Sequence, residues 1–405
     1  MLKKNKLKIL IIVGLIGSLL IFVAIRVVVN LKSSNRLSSS VTVFDLENII
    51  HPKATKECQT TGSIHYFYYS NPTGEDLKNN KFGIYIYAEN KDFFELAQNL
   101  VNSKGGDWGY VLIPFNVKDR DSSKWGRVFD QLYQKHLIPV VQLWDLDVAN
   151  YKEDTKGAAE FLNEFVWPIR QRYISVYNEP NDAKFWKGKV DPAEYARILK
   201  FTMAAFRDES LDFFMLNGAL NASASDFGDT MDSDKFMTLM NQEIPGIFND
   251  LDGWATHSYP QPNFSGSVSA TGRWSIKAYD YELNLLRDQF DIQKDLPVFI
   301  TETGWAHAEG ENYNSSYLPV KTVGERFKQA YEDVWLKDDR VMAVMPFTVR
   351  YDPPFDHFSW VNADNVPYEH YDVVKSMKKV KGNPAKLELG DEVSLGCEEL
   401  NNTKK

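Results

Sequence analysis

Two glutamates stand where bond-breaking chemistry would need them. Ser175-Val176-Tyr177-Asn178-Glu179-Pro180-Asn181 and Phe299-Ile300-Thr301-Glu302-Thr303-Gly304-Trp305 are both apolar, β-type runs that end on a glutamate and then break into a loop at Pro or Gly. Two carboxyls facing one another across a sugar are what glycosidic bond cleavage requires: one protonates the leaving oxygen and the other attacks the anomeric carbon. Glu179 and Glu302 fit such a pair, the charge of the one serving as nucleophile weakening the acidity of the other. Asn178 fits a hydrogen bond to the sugar 2-hydroxyl, or equally a turn-forming Asn. Other chemistries find little support. The seven His include no His-x-x-x-His pair, no Gly-x-Ser-x-Gly elbow is present, and the acidic stretches near 119–121 and 226–234 lack calcium-loop spacing. No metal and no cofactor is expected.

Two residues so far apart in sequence meet only if the fold brings strand ends together. From Lys81 onward, strand-like runs alternate with helix-length segments of 3.6-residue periodicity. The runs predict strands over Phe82–Tyr87, Tyr110–Phe115, Ile138–Leu143, Tyr173–Tyr177, Phe213–Asn217, Gly253–His257, Pro297–Thr301 and Val341–Pro346. Between and after them the spacing predicts helices over Phe93–Ser103, Ser123–His136, Lys156–Val166, Asp191–Arg207, Asp234–Gln242, Ile276–Phe290, Val320–Leu336 and Tyr371–Val380. Eight β–α units in a few hundred residues predict an α/β chain folded as a (β/α)8 TIM barrel over 80–381, with all strand carboxyl ends at one mouth. An open doubly wound sheet is the alternative, but no Gly-rich phosphate loop follows the first strand.

On that map Glu179 ends strand four and Glu302 ends strand seven. In this the chain resembles the clan A glycoside hydrolases, the retaining β-glycosidases of the barrel fold, and its Thr-Glu-Thr-Gly-Trp is similar to their β-1,3-glucanase, arabinogalactanase and β-xylosidase branches. The resemblance implies an Asn178-Glu179 acid/base and a Glu302 nucleophile. It implies that His257 and Tyr259, after strand six, bind sugar and orient the nucleophile, and that a Trp near strand eight contacts substrate. Here Phe347 holds the strand-end aromatic place and Trp360 comes from the following loop. Many members carry an Arg near strand two that supports the nucleophile; this chain reads Ile113-Pro114-Phe115-Asn116, with Arg120 displaced. Trp305 and Trp144 are further sugar-stacking candidates, with Trp186 and Trp274 behind them, although any Trp also suits a core. The implied activity is a glycoside hydrolase acting on a β-linked oligo- or polysaccharide. A transglycosylase of the same mechanism and a non-catalytic carbohydrate-binding barrel remain as alternatives.

The rest of the chain concerns location. Lys3, Lys4, Lys6 and Lys8 precede an apolar run from Ile9 to Ile25, followed by Arg26 and Val27 to Val29. At about 1.5 Å per residue this approaches the roughly 30 Å hydrocarbon core of a bilayer. The lysines point to a cytoplasmic tip, so residues 1–30 read as a single-pass transmembrane helix acting as signal anchor, with the barrel outside the cell membrane. A cleaved signal peptide is the alternative. Residues 31–79 read as a Ser-rich linker and N-terminal extension, and 382–405 as a polar tail. Cys58 and Cys397 flank the barrel; an exported compartment permits a disulfide between them, and two free thiols are the alternative. A net charge of −9 without a basic stripe beyond the N-terminus argues against nucleic acid. Oligomeric state is not legible.

Overall fold

The computed structural model describes residues 67–87 and 91–390, with the short strands Ser40–Val41, Gly62–Ile64 and Val393–Leu395. The expected membrane anchor, Cys58 and Cys397 lie outside the described residues. Among the described residues no helix is long and apolar enough to cross a membrane.

The chain divides into two units. One comprises Met1–Tyr69 with Glu388–Lys405, in which Gly62–Ile64 pairs antiparallel with Val393–Leu395 and the Tyr68 hydroxyl donates to Glu388. The other, Ser70–Leu387, carries eight parallel strands alternating with eight helices. The strands are β1 (Gly83–Tyr85), β2 (Gly109–Asn116), β3 (Leu137–Trp144), β4 (Arg172–Val176), β5 (Phe213–Asn217), β6 (Trp254–His257), β7 (Val298–Glu302) and β8 (Val341–Val344). The helices are α1 (Lys91–Val101), α2 (Ser122–Gln134), α3 (Tyr151–Asn163), α4 (Pro192–Glu209), α5 (Ser233–Glu243), α6 (Ala278–Phe290), α7 (Val320–Ala330) and α8 (Glu369–Ser376).

β1 to β5 pair in sequence order, as do β6 to β8. Parallel bridges Leu216↔Gly253 and Phe82↔Val344 join the two runs at both seams, so the sheet closes into a ring. Each strand is apolar on both faces because both are buried. Tyr110, Leu112, Ile138, Val140, Tyr173 and Phe299 fill the ring's interior. Their neighbours Val111, Ile113, Val141, Ile174, Val298 and Ile300 pack outward under the helices. Aspartates start several helices: Asp121 accepts from Lys124 N at α2, Asp191 from Glu194 N at α4 with Pro192 in the first turn, and Asp232 from Asp234 N and Lys235 N at α5. A β4–α4 connection of this kind leaves every strand-end residue on one face, where the two glutamates lie.

Candidate active site

Glu179 sits in a loop bent by necessity. β4 ends at Val176, and Tyr177 (φ 71°) and Glu179 (φ 38°) both take left-handed backbone conformations that L-residues adopt at a cost. The turn is held by neighbours. Glu179 N donates to Ala219 O (3.0 Å), and the Asn181 side chain donates to Asn221 O and Met231 O while accepting from Asn221 N. Gly218 lets β5 approach: a Cβ there would meet Val176 O at 2.6 Å and the Tyr195 hydroxyl at 2.8 Å. That hydroxyl donates to Val176 O and accepts from Gly218 N.

Glu302 reaches the same place from β7. A register irregularity between Ile300 and Glu302 sets Glu302 beside His257, the last residue of β6. His257 Nδ1 lies 2.8 Å from Glu179 Oε1 and 3.7 Å from Glu302 Oε2. The Tyr259 hydroxyl donates to Glu302 Oε2 at 3.0 Å. One ligating atom each from Glu179, His257 and Glu302 lie within 4.8 Å of one another. This is the cluster among the described residues that could hold a metal ion, yet the Tyr259 donor and the His257–Glu179 contact already occupy lone pairs a cation would take.

Burial and the nearby Glu179 carboxyl push the Glu302 carboxyl up to about 7, against the opposing pull of His257 and the Tyr259 hydrogen bond. Burial draws His257 down, but the charges of Glu302 and Glu179 prevail and leave it above its usual value. His257 Nε2 is buried with no partner among the described residues. The imidazole proton therefore belongs on Nδ1, between the carboxyls, since on Nε2 it would be a buried donor with no acceptor. Burial, then the Glu302 charge, also holds the Tyr85 hydroxyl well above its ordinary range.

The remaining expected residues divide. Asn178 is buried beside Glu179 and its Oδ1 accepts from Gln142 Nε2 at 3.0 Å, which orients the amide. Trp144, at the end of β3, is 40% exposed at the mouth. Trp305 and Trp360 do not line it. Trp305 is in the core, donating to Gly266 O and meeting Phe327 edge-on, because Gly304 (φ 149°) turns the chain away from the mouth. Trp360 is buried between Phe327 and His370. Trp186 is buried too, against Tyr177 and Tyr195. Arg120 donates to Val117 O and lies 4.0 Å from Asp154, so it supports the β2 loop rather than Glu302. Sequence reading missed Gln142 and Tyr85, whose strand-interior positions carry no motif, and placed Tyr351 after strand eight at the mouth.

No family model matches this chain, and no curated protein matches it. Solved structures do. A monomeric β-xylosidase from Caulobacter crescentus CB15 superposes at a TM-score of 0.54 with 15% identity, covering 78% of this chain and 71% of that one. A GH39 β-xylosidase from Caulobacter crescentus does so at 0.50 with 14% identity, covering 74% and 72%. In fold, this chain is similar to the clan A glycoside hydrolases. The two likenesses concern the barrel; the side-chain chemistry rests on the geometry above.

Proposed function

We propose that this protein is a retaining glycoside hydrolase acting on a β-linked glycan. The observation that carries the reading is the meeting of Glu179, His257 and Glu302 within 4.8 Å at the mouth of a closed parallel barrel. So close an approach suits direct attack by one carboxylate, since retaining enzymes hold their carboxyl groups near one another and inverting ones leave room for a water between. In the first step a carboxylate oxygen of Glu302 bonds to the anomeric carbon while the glycosidic C–O bond breaks and its oxygen takes a proton from Glu179. In the second, Glu179 takes a proton from water as the hydroxide oxygen bonds to the anomeric carbon and releases Glu302. With the Nδ1 proton of His257 directed at Glu179 Oε1, Oε2 is left for the transferable proton. Tyr259 donates only to the carboxylate that must be anionic. Asn178, its Oδ1 tied to Gln142, keeps its Nδ2 for the sugar 2-hydroxyl, and Trp144 offers a stacking face.

We further propose that residues 1–30 anchor the enzyme in the cell membrane with the barrel outside; the apolar run between lysines and Arg26 supports this. The test is hydrolysis of a panel of β-xylosides, β-glucosides and their polymers, with the anomeric configuration of the first product followed by NMR. Retention, lost together with turnover in Glu302→Gln and Glu179→Gln, is the expected result. Inversion, or turnover surviving Glu302→Gln, refutes the mechanism.

A further inference from the structure

Large aromatic rings are exposed on one end of the ring only. Among the described residues five are solvent-facing: Tyr87 after β1, Trp144 as the last residue of β3, Phe227 after β5, Trp274 after β6 and Tyr313 after β7. All five lie at or after strand carboxyl ends. Large side chains exposed on segments that lead into strands, Leu77, Val166 and Leu211, are all aliphatic, while the mouth side carries the five rings and one aliphatic, Val366. A folding surface without a use for exposed rings has no reason to gather them all at one end.

Two of these rings are held outward by a built scaffold. Phe227 is 84% exposed, yet its turn is tied: the Thr230 hydroxyl donates to Ser225 O (2.7 Å) and Phe227 O (3.1 Å), and Asp226 accepts from Asp232 N. Trp274 is 60% exposed while its carbonyl accepts from Gln261 N (2.9 Å). Arg273 next to it donates to Ala222 O (3.1 Å) and pairs with Asp232 (2.9 Å), and Gln261 donates to Ser223. The β5 and β6 loops are thus cross-linked, and the Arg273 guanidinium, 5.9 Å from the Trp274 ring centroid, backs that ring while most of it stays exposed. Trp144 stands on β3, on the other side of β4 and its Glu179 from this pair.

We propose that the mouth takes a long β-linked polysaccharide, with Phe227 and Trp274 as stacking platforms on the β5–β6 flank and Trp144 on the β3 flank, and that the bond is cut within the chain. The apolar faces of pyranose rings are the chemistry that flat, exposed aromatics recognise. Rings on both sides of the carboxyl pair place sugars on both sides of the broken bond. The inference rests on the glycosidase reading for the cut, but not for the binding.

The test separates these. The full chain carrying Glu302→Gln, in detergent, is run in native gels containing birchwood xylan, barley mixed-linkage β-glucan or laminarin. The expected result is retardation in at least one gel, weakened about tenfold in apparent affinity by Phe227→Ala with Trp274→Ala and untouched by Leu211→Ala at the opposite end. Retardation in none of the three, or equal retardation with and without the two rings, overturns the proposal. In the active chain, early products of mixed length support an internal cut, and monosaccharide as the sole early product overturns it. Loss of retardation in the double variant of a chain that hydrolyses nothing upholds the platforms and refutes the glycosidase reading instead.

Discussion

Replacing Glu302 by Gln should make the protein more stable while abolishing turnover. The carboxyl is buried, 13% of its side chain is exposed, and its pKa is lifted from an ordinary 4.5 to about 7. The folded state therefore holds the proton more tightly than the unfolded chain. Below pH 4.5 both states are protonated and the group costs nothing. Between 4.5 and about 7 the penalty grows as the unfolded chain ionises first, and above about 7 it is complete. Moving a carboxyl from 4.5 to about 7 corresponds to about 3 kcal/mol at a pH above both values. Gln keeps the shape and can still accept from the Tyr259 hydroxyl, so the substitution removes the buried charge with little change in packing. For a unit of this size 1 kcal/mol moves Tm by roughly 1.5–2 °C, so Glu302→Gln should melt about 5 °C higher than the parent at pH 8. At pH 4.5 the gap should shrink to about 1 °C. The assay is thermal unfolding of the detergent-solubilised full chain at the two pH values. A variant no more stable than the parent at pH 8, or a gap that does not depend on pH, would refute the claim that burial strains this carboxylate.

Other outcomes follow from the same geometry. The rate should rise with pH through about 7, because Glu302 must lose its proton before it can attack; a kcat/KM profile flat from pH 5 to 8 contradicts this. Tyr259→Phe removes a donor to the anion, so that rising limb should move to higher pH and kcat fall about 10–100-fold, read from the same profile. Tyr195→Phe leaves Gly218 N without its buried acceptor and Val176 O without its donor, and should cost about 1–3 kcal/mol by denaturant titration. Dialysis against EDTA should leave turnover unchanged, because the Tyr259 hydroxyl and the His257–Glu179 hydrogen bond orient the two carboxyls without a cation.

Much of the barrel was legible because its strands are buried on both faces and so read as unbroken apolar runs. Phe213–Asn217 coincides with β5; β1 and β8 stop short of the runs Phe82–Tyr87 and Val341–Pro346, whose apolar residues continue past the last ladder bond, while β2 and β3 extend one residue beyond their runs at each end. Helix ends were less legible. The pattern predicts Lys156–Val166, but α3 starts at Tyr151, since an exposed first turn carries no apolar stripe. The pattern also predicts Tyr371–Val380, but α8 ends at Ser376, where the Lys379 ammonium folds back to Val374 O and Met377 O. Val320–Leu336 holds as a helical stretch, its last turn widening to a π-turn at Tyr331–Trp335. In the site, a glutamate at or just past a strand's carboxyl end announces the mouth of the barrel, while its aim is set locally, for Glu179 by the positive-φ turn beyond β4 and for Glu302 by the register irregularity of β7. Trp305, only three residues later, does not: a glycine intervenes, and its φ decides whether the ring meets sugar or core. Phe227 and Tyr313 were unreadable for a related reason, as loops have no period from which exposure follows.

The burial that raises Glu302 in the resting site is also what would make it effective. Among the described residues no arginine pairs with Glu302; the Tyr259 hydroxyl donates to it, and the His257 imidazole, 3.7 Å away and hydrogen-bonded to Glu179 instead, acts on it through charge alone. A permanently charged partner would hold the carboxylate anionic at every pH but would also neutralise it, weakening its attraction for a positive anomeric carbon. A carboxylate held by a neutral hydroxyl keeps nearly its full charge in a low-dielectric site. It is uncomfortable there until charge develops on the sugar, and then the same desolvation strengthens the attraction. On this view the raised carboxyl, the pH limb near 7 and the stability gained on its removal have one cause. An arginine introduced within reach of Glu302 should then lower the limb and the rate together, whereas one that lowered the limb and raised the rate would show that charge retention is not what the site is built around.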